Sequence, residues 1–197
     1  MPILACYALL VMAQQGQQPR SFADKAEEAR GYIPYRALTW DDFHTNDVDG
    51  TYLADTEAFI HYDFRAKYVQ SGSSYVASVT SIEIRSGFDA TKSWRKSKFN
   101  VDPDVLLRHE QGHLDINETY ARKLRKTKLS EWPTGSGPTA ASAEHALEDR
   151  IRTLFAQAIA NCQAEQNQYD DETKHGQVAS SQQTWLAKIK HDFDAAK

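Results

Sequence analysis

Between Asp102 and Lys126 the apolar residues recur at helical spacing without a break, and two histidines and a glutamate sit in the middle of the stripe they form. Asp102 can cap such a helix and Pro103 suits its first turn. At 100° per residue, Leu106, His109, Glu110, His113, Ile116, Tyr120, Ala121 and Leu124 share one side, whereas Arg108, Gln111, Asp115, Thr119 and Arg122 fall on the other. Burying three polar groups without partners is costly, so a chain with this helix must fold in a way that supplies them.

The pattern His109-Glu110-Gln111-Gly112-His113 names one partner. Imidazoles four residues apart stack one turn above the other, and both can reach a single zinc ion at about 2.0 to 2.1 Å. Glu110, beside the first ligand, is then placed as the base that takes a proton from metal-activated water. With 7 His in 197 residues, chance placement gives such a string in roughly one chain per hundred. The expected activity is that of a zinc-dependent metallohydrolase, with Zn2+ as cofactor and a peptide or protein as substrate. The alternative is a non-catalytic, zinc-stabilised binding protein of the cell envelope, in which a fourth protein ligand replaces water.

A catalytic zinc takes a third protein ligand. His175, in the break between two later helices, is the choice, with Glu144 or Glu148 as substitutes and His145 behind them. Glu118 points about 140° from His113 on the wheel and reads as a surface charge. His44, His61 and His191 have no spacing argument. Asp170 is a candidate acceptor for the outer N–H of a ligand histidine, Asn117 another such group, and Tyr169 a candidate catalytic residue that would stabilise an oxyanion.

Elsewhere the pattern is mixed. Aromatic and β-branched residues alternate with polar ones from Thr51 to Phe64 and from Ser74 to Phe88, with a turn across Tyr68 to Ser73, which predicts an antiparallel hairpin. A short strand is expected around Lys92 to Lys96. After the break at Glu131 to Pro138, helices are expected from Ser142 to Gln166 and from Ser180 onward. Strands first and helices after predict one α+β domain over 35–197. Composition, with 41% hydrophobic and 25% charged residues, fits a folded domain.

The first thirteen residues, MPILACYALLVMA, form an apolar run resembling a secretory signal, followed by a flexible segment, 14–34. That predicts a secreted or periplasmic protein, although no basic residue precedes the run. No stretch has the length of a membrane helix. A net charge of −4 and the lack of a basic stripe argue against nucleic acid as partner. Cys162, at helical spacing from Phe155, Ala158 and Ile159, reads as a core residue.

In order along the chain, Ala37-Leu38-Thr39-Trp40-Asp41-Asp42-Phe43, Lys92-Ser93-Trp94, Leu106 to Glu118, Ala121 to Leu124, Tyr169-Asp170, Thr173-x-His175-Gly176, Gln182 and Trp185 resemble a bacterial family of predicted secreted zinc-dependent proteases, catalogued mainly as a domain of unknown function. The resemblance implies a zincin-like metalloprotease fold, in which an antiparallel or mixed sheet precedes the His-Glu-x-x-His helix and further helices. It also implies export and peptidase activity, and it strengthens His175 as a ligand.

Overall fold

The computed structural model describes residues 31–47 and 52–197. The expected signal, and most of the flexible segment after it, lie outside the described residues. Tyr32–Pro34 do not belong to such a segment, because they form strand β1 against the end of the central strand. The remaining elements are β2 (His44–Thr45), β3 (Ala54–Asp55), β4 (Ala58–Ser71), β5 (Ser74–Asp89), β6 (Trp94–Arg95), α1 (Pro103–Arg125), β7 (Thr134–Gly137), α2 (Ala140–Thr173) and α3 (Ala179–Ala195). Among the described residues the architecture is α+β, with one antiparallel sheet, one small mixed sheet and three α-helices.

β4 and β5 make the expected hairpin, but β4 runs on to Ser71, and the turn is only Gly72 (φ 62) and Ser73. β5 carries β4 along one edge, and β1 and β7 at opposite ends of the other. The register slips between Arg65 and Ala66, leaving Thr80 as an extra residue on β5. This bulge reverses which parity faces inward. Ala77 and Val79 are buried before it, and Ile84, Ser86 and Phe88 after it.

The sheet's inner face meets α1 and α2 in a core that includes Ile60, Val79, Ile84, Leu124, Trp132, Leu147, Ile151 and Phe155. Each such side chain contributes about 1.5 to 3 kcal/mol by leaving water. A smaller cluster of Ile116, Cys162, Tyr169, Trp185 and Ile189 joins the three helices beneath the site, with Cys162 in the core as expected.

α1 is enclosed on more sides than its pattern predicts. Residues 33–43 cover its polar side, where the Leu38 N–H donates to Gln111 Oε1 (2.7 Å) and the Tyr35 hydroxyl to Asp115 Oδ1 (2.9 Å). Glu118 is not a surface charge. It is buried, accepts from Arg122 Nε (2.7 Å) and Arg125 Nη1 (2.9 Å), and bonds Ser86 Oγ.

Candidate metal centre

The Asp102 carboxylate accepts the Asp104 N–H (2.8 Å) and starts α1 with Pro103 in its first turn. Two turns on, the buried rings of His109 and His113 converge until their Nε2 atoms are 3.2 Å apart. The last turn of α2 adds Asp170, whose Oδ1 is 3.0 Å from each of those nitrogens. The chain then leaves α2 through three consecutive left-handed residues, Lys174 (φ 51), His175 (φ 54) and Gly176 (φ 77). Two of them are not glycine, and each such conformation costs about 1 to 2 kcal/mol. The turn is held by the His175 N–H on the Asp170 carbonyl (3.1 Å) and by the buried Thr173 hydroxyl, which accepts the Gly176 N–H (3.2 Å) and donates to the Tyr169 carbonyl (2.6 Å). Its result is His175 Nδ1 at 3.1 Å from the same Asp170 oxygen.

The outer nitrogens fix the tautomers. A carbonyl oxygen can only accept, so the Tyr169 hydroxyl donates to the His109 carbonyl (3.3 Å) and accepts from Gln182 Nε2 (2.6 Å). Gln182 Oε1 is thereby turned to His109 Nδ1 (3.1 Å), which must donate to it. In the same way Gln166 Nε2 donates to Cys162 Sγ (3.3 Å), and its Oε1 accepts from His113 Nδ1 (3.1 Å). Neutral rings so bonded carry lone pairs on Nε2. Two nitrogens and a carboxylate oxygen then aim lone pairs at one another, which repels unless positive charge lies between them. An extra proton on one ring serves one contact; a metal ion serves them all.

The spacing fits such an ion. Tetrahedral ligands at about 2.0 to 2.1 Å lie about 3.3 Å from each other, close to the 3.0 to 3.2 Å seen among His109, His113 and Asp170. Ligand atoms of His109, Asp170 and His175 also fall within 4.8 Å of one another. Imidazole with carboxylate is a donor set suited to zinc.

Glu110, 3% exposed, reaches the same cleft, and its Oε2 accepts the Thr56 hydroxyl (2.7 Å). Burial raises its carboxyl above the usual range, partly offset by His113, His109 and the Thr56 bond. Burial acts on Asp170 in the same sense, but its close contacts with the His109 and His113 rings outweigh it and hold that carboxyl far below the usual range. The cleft, about 320 Å³, is walled on one side by residues 54–58 and on the other by Gln163, Gln166 and Asn167 of α2. The Tyr52 ring meets His175 edge-on at 4.5 Å.

His109, Glu110, His113 and His175 are thus brought together, and other expectations change. Tyr169 does not face the cleft: it is fully buried, stacks on the His109 ring, and spends its hydroxyl on Gln182 and the His109 carbonyl. Its oxygen sits 2.5 Å from where a Cβ on Gly112 would be, so Gly112 is what admits it behind the two histidines. Asp170 contacts the inner nitrogens rather than an outer N–H. Asn117 instead ties α1 to β4 by donating to the Phe59 carbonyl (2.9 Å). Glu144 precedes Asp170 by about 39 Å of helix rise, and Glu144, Glu148 and His145 do not line the cleft. Thr56 and Gln166, which the motif does not signal, complete the site.

A family described as a bacterial protein of unknown function, DUF922, matches residues 35–176, and the chain belongs to it. No curated protein and no solved structure matches the chain. Among the described residues no helix is long and apolar enough to cross a membrane.

Proposed function

We propose that this protein is a zinc-dependent metallohydrolase with a zincin-like active site, acting on peptides as a secreted or periplasmic enzyme. The observation that carries the reading is the approach of His109, His113 and His175 to one carboxylate oxygen of Asp170, with the buried carboxylate of Glu110 in the same cleft. The three histidines would hold the ion. When bound, zinc supplies Lewis acidity, polarising a carbonyl and making water acidic near neutral pH. Glu110, steadied by Thr56, takes the proton of the attacking water and passes it to the leaving amine. Gln182 and Gln166 keep the two helix histidines in the tautomer that leaves Nε2 available.

The substrate class rests on the shape of the cleft. It continues into a groove of about 220 Å³ between the first residues of β4 and the middle of α2, sharing Ala58, Gln163 and Gln166. An extended chain fits this run better than a compact small molecule does.

The second reading, a non-catalytic zinc-stabilised cell-envelope module, is favoured by Asp170, whose oxygen stands where a fourth ligand would. Glu110→Gln separates the two. With about one zinc per chain in parent and variant, loss of peptide-library cleavage in the variant alone supports the enzyme. Cleavage absent from a zinc-loaded parent supports the module, cleavage unchanged in the variant removes Glu110 as the base, and a parent that takes up no zinc defeats both readings.

A further inference from the structure

We propose that Asp170 is itself a ligand of this centre, so that four side chains close it in the resting protein and the position needed for catalysis is held by a removable carboxylate. The inference rests on the reading that the cluster binds a metal ion, and it adds a device that keeps the site idle.

Three observations carry it. Asp170 Oδ1 stands at 3.0, 3.0 and 3.1 Å from His109 Nε2, His113 Nε2 and His175 Nδ1, among the inner nitrogens of the cluster rather than beside an outer one. The usual supporting place is already filled, since the outer nitrogens of His109 and His113 are met by Gln182 and Gln166 at 3.1 Å. The hydrogen bonds behind the rings place the Nδ1 protons of His109 and His113 on Gln182 and Gln166, so the nitrogens turned toward the Asp170 carboxylate are the ones through which both rings would hold a cation.

Asp170 is also placed to move. His109 and His113 are 1% and 9% exposed and locked from behind, and the left-handed turn fixes His175 from its backbone. The Asp170 side chain is short, 27% exposed and borders the cleft. A rotation about its own side-chain bonds withdraws it without disturbing α2.

Cobalt(II) in place of zinc makes the closure visible without any activity assay. The parent should take up Co2+ and show visible absorption bands that azide leaves unchanged, because no position is open to it. Asp170→Ala and the isosteric Asp170→Asn should bind Co2+ at least roughly tenfold more weakly and show bands that shift on adding azide. An azide-sensitive parent, or variants with parental affinity and spectrum, would overturn the closure while leaving the metal site of the previous reading intact. A parent that takes up no Co2+ would remove both.

Discussion

Tyr169 illustrates how much of the site depends on groups that touch no substrate. Its hydroxyl links the His109 carbonyl to Gln182, and through Gln182 it sets the tautomer of the His109 ring. Tyr169→Phe should therefore lower zinc affinity about tenfold. Cleavage by the zinc-saturated variant should stay within a few fold of the parent. An oxyanion donor would behave oppositely, with kcat falling about 100-fold or more and zinc affinity unchanged. Competition with a zinc-sensitive dye, run beside steady-state kinetics, distinguishes the two.

Among the described elements, the end of α2 is where non-glycine residues, Lys174 and His175, take positive φ. Lys174 is exposed and adopts φ 51, ψ 51, a conformation that glycine takes freely. Lys174→Gly should stabilise the protein by about 0.5 to 1 kcal/mol, the relief being partly offset by greater freedom of the unfolded chain. A lower melting temperature for that variant would mean the backbone is not strained there.

The short 3-10 turn Trp40–Asp42 shows the opposite economy. Its Asp42 carboxylate accepts from Arg36 Nη1 (2.9 Å) and the Thr39 N–H (2.7 Å). Burial pushes this carboxyl up, but the bonds to Arg36 and Thr39 outweigh it, so the folded pKa lies below the unfolded one. The stability so gained is present above the unfolded pKa and is lost as pH falls through the folded value. Arg36→Ala should cost about 0.5 to 1 kcal/mol near neutral pH, a low figure because Arg36 is 46% exposed. The difference from the parent should vanish in acid, as denaturant midpoints across pH can show.

For the whole molecule, the centre ties α1 to the junction of α2 and α3, joining residues 57 to 66 positions apart in the chain. An ion that binds only the folded state, at about a thousand times its dissociation constant, adds about 4 kcal/mol. Removing zinc with a chelator should therefore lower the melting temperature by about 8 to 16 °C for a chain of this size. Reloading should restore it, and the Asp170→Ala protein should show a smaller shift. An unchanged melting temperature would mean the metal does not bridge these elements.

The clustering of His109, Glu110 and His113 was legible because it is local. Helical spacing alone puts His109, Glu110 and His113 on one face, and the order of strands and helices gave the α+β class and the β4–β5 hairpin. His175 was legible as a histidine in a break and through the resemblance carried by Thr173-x-His175-Gly176. Its approach depends on three left-handed residues, two of which carry side chains that do not advertise that conformation. β7 was missed because Thr134-Gly135-Ser136-Gly137 reads as loop; a Cβ at Gly135 would lie 2.0 Å from the Ala143 carbonyl, so what looks like a breaker is a strand pressed against α2. The bulge at Thr80, the burial of Glu118 and the inward turn of Asp170 were likewise beyond periodicity. Sequence determined which residues share a face of their own element. Which faces meet, and hence whether a carboxylate stands behind a ligand or among the ligands, was decided by packing between segments far apart in the chain.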